Sequence, residues 1–151
     1  KGVARIAEAF GMTVRYFSTS GTSHCQAYPC LPLEQLLAES DIVSVHAPLN
    51  ERTNGLIGEK ELALMKHSAY IVNMGRGGIV IEDALVKAVD DGVIAGAALD
   101  VYSVEPLPAD SCFLKAKHPE RFRLAPHVAW ASQEARARLL GMVADNIAKG
   151  W

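Results

Sequence analysis

Four side chains in this sequence have types and settings that suit chemistry: Arg76 in "NMGRGGIV", Asp100 and Glu105 in "ALDVYSVEP", and His127 in "LAPHVAW". A guanidinium is planar and meets a carboxylate through two parallel hydrogen bonds. A histidine exchanges protons near neutral pH, and a neighbouring carboxylate can fix its tautomer and raise its pKa. Brought together, such groups suit proton and hydride exchange on a small α-hydroxy or α-keto acid. Each also has an ordinary alternative. Arg76 alone is as readily a helix cap or a surface ion pair. His127 after Pro126 reads equally as a loop residue, Glu105 before Pro106 as a turn residue, and Asp100 as a turn cap. The choice depends on whether one framework carries all four to one place.

The hydrophobic pattern describes such a framework. Val3, Ile6, Ala7 and Phe10 recur at helical spacing and Gly11 follows as a left-handed cap, which predicts a helix over residues 1–10. "MTVRYF" at 12–17 predicts a short strand that ends in the polar turn "STSGTSH". Helices are then expected at "PLEQLLAES", "GEKELALM", "EDALVKAVDDG" and "SQEARARLLGMVADNIAKG", with Pro32 near the first turn of the earliest. Strands are expected at "IVSVH", "AYIVN", "VIAGAALD" and "FRLAP". Alternating strands and helices predict an α/β fold, a doubly wound parallel sheet covered by helices. About six strands are too few to close an eight-stranded barrel. Ligands of open parallel sheets bind beyond the carboxyl ends of the strands. His46, Pro48, Thr53, Gly75, Arg76, Gly77, Asp100, Glu105 and His127 all fall there.

Composition limits what this edge can serve. A chain of 151 residues suits one domain, able to bury roughly 70% of its unfolded surface. Half of it is hydrophobic and 21% is charged, as in globular proteins. A formal net charge of −2 argues against a nucleic-acid partner held by a basic face. No apolar run approaches the ~20 residues of a spanning helix, and no basic segment with an apolar signal core opens the chain. No membrane partner is expected, and a cytoplasmic location is. Cys25, Cys30 and Cys112 are odd in number and lack a paired spacing, so they read as reduced thiols. His24 beside a lone C-x4-C pair does not make a metal site.

Four segments, "LLAESDIVSVHAPLNERTNGLI", "MKHSAYIVNMGRGGIV", "GAALDVYSVEP" and "APHVAWAS", resemble in order and spacing the signatures of the NAD-dependent D-isomer-specific 2-hydroxyacid dehydrogenases. The resemblance covers nearly the whole chain, and "PHVAWASQEARARLL" is most similar to the glycerate dehydrogenase or hydroxypyruvate reductase branch. It implies a Rossmann-like nucleotide-binding domain, a small 2-hydroxy or 2-keto acid substrate and a homodimer, with Trp130 and the loop over 101–118 as candidate contacts. It further implies that Arg76 holds the substrate carboxylate and that His127 is the acid/base. Glu105 would bond His127 and support its protonated form, and Asp100 would orient the nicotinamide carboxamide. Cofactor contacts would fall near Pro48, Thr53, Met74, Gly75 and Ala129, with the glycines around Arg76 letting the backbone approach the cofactor. Other acids, D-lactate or 3-phosphoglycerate, are the alternatives within the family. A formate-oxidising branch is disfavoured by Glu105, where that branch is expected to carry Gln. A nucleotide-sensing corepressor or scaffold is the alternative outside catalysis.

The sequence also departs from the family pattern. The strand and G-x-G-x-x-G fingerprint that seat the pyrophosphate are absent. Lys1 reads as the residue after the third glycine, so residues 1–151 are expected to be a nucleotide-binding domain without its first strand, and without the substrate domain. Alone, such a chain is expected to be inactive. Ser18 stands where an acid would bind the adenosine ribose, which leaves NADP open beside NAD. No arginine follows immediately to hold a 2′-phosphate, so NAD stays slightly ahead. Ile81 replaces the polar residue expected after "RGGIV", leaving Glu82 or Asp83 to cap the next helix.

Overall fold

A computed structural model describes residues 1–150. Four short parallel strands form one sheet in the order β1 (Ile42–Val45), β2 (Tyr70–Asn73), β3 (Gly96–Leu99) and β4 (Phe122–Leu124). β-Branched and aromatic residues in β1 and β2 favour the extended backbone. In register, Val43, Ile71, Ala97 and Phe122 share one face, and all four are buried.

Helices α2 (Leu33–Glu39), α3 (Glu59–Ala63) and α4 (Glu82–Asp90) contact one another in sequence and cover that face. Leu37, Leu62, Leu85 and Val89 supply their buried stripe. The reason for one layer is topological. Each crossover steps to the next strand in the same direction, so right-handed connections put α3 and α4 on the same side. The opposite face shows Ile42 and Tyr70, each 51% exposed. The terminal helices, α1 (Gly2–Ala9) and α5 (Gln133–Ala148), bury no residue. Between β3 and β4, Tyr102, Phe113 and Phe122 stack edge to face at centroid distances of 6.0 and 5.7 Å, tying the long loop to the sheet.

The expected elements appear at shorter lengths, with two differences. Residues 12–17 form no strand: only Tyr16 makes ladder bonds, its amide donating to the Pro29 carbonyl at 3.0 Å and its carbonyl accepting from Leu31 at 2.8 Å. A strand needs a partner along its length, and this run has one at a single residue. Neither Glu82 nor Asp83 caps α4, whose cap residue is Ile81 without a side-chain bond. Glu82 Oε1 instead accepts the Ser103 amide at 2.6 Å. Gly11 does take the expected left-handed turn after α1, at φ 81°.

Candidate active site

The carboxyl edge is built loop by loop. After β1, Thr53 is fully buried; its hydroxyl donates to the Pro48 carbonyl at 2.6 Å and accepts the Asn50 amide at 2.8 Å. Thr53 therefore shapes the loop that displays Pro48 and Leu49, with no hydroxyl proton left for a ligand. His46 lies at the start of this loop, 2.9 Å from the Ser44 hydroxyl. Burial lowers its pKa and favours the neutral ring.

After β2, Asn73 is 2% exposed and closes the turn: its Nδ2 donates to the Arg76 carbonyl at 3.0 Å and its Oδ1 accepts the Gly75 amide at 3.1 Å. The turn presents Arg76 to solvent, where, among the described residues, Nη1 donates only to the Gly75 carbonyl, at 2.8 Å. The glycines serve protein packing first. A Cβ on Gly75 would lie 2.8 Å from the Ala47 carbonyl oxygen, and one on Gly77 would lie 1.8 Å from that of Tyr102. Their absence of side chains lets three loops of the edge close on one another, a tighter requirement than the cofactor approach expected of them.

After β3 and β4 come the groups that can move a proton. Asp100 is 4% exposed, and its two oxygens accept the amides of Val128 at 2.8 Å and Ala129 at 2.9 Å. Trp130 Nε1 donates to the His127 carbonyl at 2.7 Å. These bonds hold His127 at φ 53°, the only positive φ outside glycine among the described residues. Such a conformation costs about 1–3 kcal/mol and persists only where the surroundings over-determine it. His127 Nδ1 is 2.8 Å from Glu105 Oε2, while Glu105 Oε1 accepts the Tyr102 amide at 3.0 Å. The bond to His127, then that to Tyr102, hold the Glu105 carboxyl below the usual range, with the Arg76 charge adding to the effect. Glu105 is thus the acceptor, Nδ1 carries a proton, and Nε2 is the ring nitrogen free to exchange one.

Two open clefts run along this edge and meet at Met74. One, of about 530 Å³, is lined by His46, Pro48, Gly75 and Arg76; the other, of about 320 Å³, by Asp100, Val128 and Ala129 with the apolar ends of β3 and β4. Residues 1–129 match the family model described as D-isomer specific 2-hydroxyacid dehydrogenase, NAD binding domain. The chain belongs to this family.

Among its relatives, a glyoxylate reductase of Korarchaeum cryptofilum is 46% identical over 148 residues, 96% of this chain and 44% of that protein. A glycerate dehydrogenase of Methylorubrum extorquens is 40% identical over 147 residues, 97% of this chain and 45% of that one. Among solved structures, an acyclic imino acid reductase in complex with NADPH and D-Arg superposes at a TM-score of 0.87, with 32% identity over 97% of this chain and 45% of its own. The chain spans less than half the length of the relatives it matches.

In this family's domain the clefts fit a nicotinamide dinucleotide, since one is apolar and the other carries cationic and polar groups. Pro48, Met74, Gly75, Asp100 and Ala129 line them and would hold it; Thr53 stands behind Pro48, and Ser18 lies outside both. Asp100 faces its cleft while organising the His127 loop, a second duty that its sequence position did not announce. The sequence signal for Asn73 is a polar residue that closes an apolar strand two positions before a glycine. His24, beside Cys25, turns its Nε2 to the Ser20 and Thr22 hydroxyls.

Proposed function

We propose that this chain is the nucleotide-binding half of an oxidoreductase that interconverts a small D-2-hydroxy acid and its 2-keto acid, of the glycerate/hydroxypyruvate or glyoxylate type. The observation that carries the reading is the Glu105–His127 pair, with a strained, fixed backbone under the histidine, at the edge that also presents Arg76. The nicotinamide supplies or accepts the hydride at substrate C2 when bound. Arg76 holds the substrate carboxylate with its exposed guanidinium. In the reducing direction, His127 gives its Nε2 proton to the carbonyl oxygen as C2 gains the hydride, and water returns a proton to the ring. Glu105 keeps Nδ1 protonated throughout, so the ring exchanges protons only at Nε2. Position and proton supply are the protein's share of the catalysis. A homodimer, with the half-exposed Trp130 near the contact, belongs to the same proposal.

The full-length protein should oxidise NADH or NADPH in the presence of glyoxylate or hydroxypyruvate and yield the D-hydroxy acid. Absence of turnover with any short 2-keto acid, in protein shown to bind the nucleotide, refutes the reaction.

A further inference from the structure

We propose that Glu82 is a positioning residue for the acid/base pair: by holding the Ser103 amide it fixes the segment from Tyr102 to Glu105, so that the Glu105 carboxylate meets His127. The inference rests on the proposed reaction, in which that pair moves the proton.

Glu82 stands in the first turn of α4. A carboxylate there ordinarily serves its own helix, by bonding an unpaired amide or by facing the positive end of the dipole. Its Oε1 instead leaves the helix and accepts the Ser103 amide at 2.6 Å, 21 positions along the chain. The stretch it grips has little else. Ser103, Val104, Glu105 and Pro106 are exposed, and among the described residues no backbone-to-backbone bond reaches Ser103, Val104 or Glu105. The bond from the Tyr102 amide to Glu105 lies within the same loop. His127 apart, the Glu82 bond is thus the one hydrogen bond among the described residues that ties residues 103–105 to another part of the fold.

Packing completes the seat. Tyr102 is buried, and a Cβ on Gly77 would lie 1.8 Å from the Tyr102 carbonyl oxygen and 2.4 Å from the Ser103 nitrogen. The peptide between Tyr102 and Ser103 is therefore held by the bare backbone of Gly77 and by the carboxylate at its amide. That carboxylate starts from a rigid base. Ile79 and Val80 are buried; the Gly55 and Ile57 amides donate to the Gly78 and Ile79 carbonyls at 2.7 and 3.0 Å, and the Ile81 amide donates to the Ile57 carbonyl at 2.9 Å.

Asp90, at the other end of α4, supplies the comparison. Its two oxygens accept the Lys117 and His118 amides, each at 3.0 Å, so one helix clips both ends of the loop between β3 and β4. Only the Glu82 clip lies beside Glu105. If the clips served loop stability alone, losing either would have the same consequence.

The test is steady-state reduction of glyoxylate by the full-length protein, joined to proton NMR of the low-field His127 Nδ1 proton, which is identified by its loss in Glu105→Ala and does not depend on turnover. Glu82→Ala should lower kcat about tenfold, less than the roughly hundredfold cost of a 1 Å misplacement, leave KM for glyoxylate unchanged and broaden the Nδ1 proton. Glu82→Gln keeps an oxygen at the same reach and should recover most of kcat. On a Glu105→Ala background, removing Glu82 should cost less than about twofold more, because nothing is left for it to position. Asp90→Asn should lower Tm and leave kcat and the Nδ1 proton as they are. If Glu82→Ala does not fold, Glu82→Met, which keeps the stem and the helix propensity, takes its place in each comparison. Additive losses in the double variant, a kcat in Asp90→Asn as low as in Glu82→Ala, or a loss confined to KM would overturn the role. A wild type that reduces no 2-keto acid, yet loses its Nδ1 proton in Glu82→Ala, overturns the proposed reaction and leaves the positioning role standing. Turnover with that proton unchanged in Glu82→Ala overturns the role alone, and a wild type with neither turnover nor that proton overturns both.

Discussion

The loop that bears His127 and the loop that bears Arg76 meet at one sheet edge, yet they are fixed in different ways. Around His127 the bonds are redundant: Asp100 takes two amides, Trp130 takes the carbonyl, and Glu105 takes the ring. Around Arg76 the backbone is pinned by Asn73 and by the contacts of Gly75 and Gly77, while the guanidinium, among the described residues, bonds only a neighbouring carbonyl. Under the proposed function, the proton donor is organised before any ligand arrives, and the carboxylate clamp is left free to close on one. The difference fits the two duties. Proton transfer tolerates little error in position, whereas an arginine locked by another partner would have to break that bond to hold substrate.

Replacing each group in turn is the sharpest way to break this contrast. His127→Ala should lower kcat by about a thousandfold, the range of a lost acid/base, with the affinity for nucleotide little changed. Arg76→Ala should show itself mainly in KM for the keto acid, raised about tenfold to a hundredfold, as a lost charge-assisted pair would. Steady-state kinetics on the full-length variants separate the two. If Arg76→Ala left KM unchanged while kcat fell, the clamp assignment would fail and the guanidinium would belong with the proton chemistry.

Much of this edge was legible in the residues before any coordinates. The parallel sheet follows from apolar runs such as "AYIVN", whose burial on one face needs only period-two alternation and a neighbour on each side. Arg76, Glu105 and His127 were legible because each follows such a run, and position along the chain becomes position along an edge. What was not legible involved partners distant in sequence. Residues 12–17 have strand-like content, but pairing decides a strand, and only Tyr16 finds it. The sequence position of Thr53 says nothing of its burial or of its bond to the Pro48 carbonyl, which makes it the internal brace of that loop. The bond between Glu82 and Ser103 carried no signal at all, because it crosses 21 positions of chain.

A smaller effect is expected at Asp100, which sharpens the contrast from beneath. Asp100→Asn keeps the size of the side chain but turns one acceptor into a donor facing a loop amide. One bond to Val128 or Ala129 is lost along with the charge, a cost of about 2 kcal/mol for a charged acceptor at a buried site. Urea unfolding should register that cost. Because the strain at His127 is held by these bonds, kcat should fall about tenfold as well. The equivalent change at Asn73, Asn73→Ala, should instead loosen the Arg76 turn and raise KM. Were both variants to alter the same kinetic constant, the two loops would be acting as one unit and the distinction drawn between them would be lost.

The smallest effect belongs to Glu105→Gln, and its sign can be worked out. The carboxyl of Glu105 is held below its ordinary value chiefly by its bond to His127 and then by the Tyr102 amide. Folding therefore favours the ionised form, and the stabilisation is fully present above the unfolded glutamate value of ~4.3 and is lost as pH falls through the lowered folded value. The Tm difference between wild type and Glu105→Gln should stay constant from neutral pH to about pH 5 and then shrink in more acid solution. Side chains at Glu105 and His127 remain 34% and 35% exposed, so solvent screens the pair and the difference should be only a few degrees. Glutamine still offers an oxygen to Nδ1, so kcat should drop by less than it does in His127→Ala. A Tm gap that widened in acid would mean that Glu105 is protonated in the folded protein. Nδ1 would then be the acceptor of that bond, and its assignment as the donor would fail.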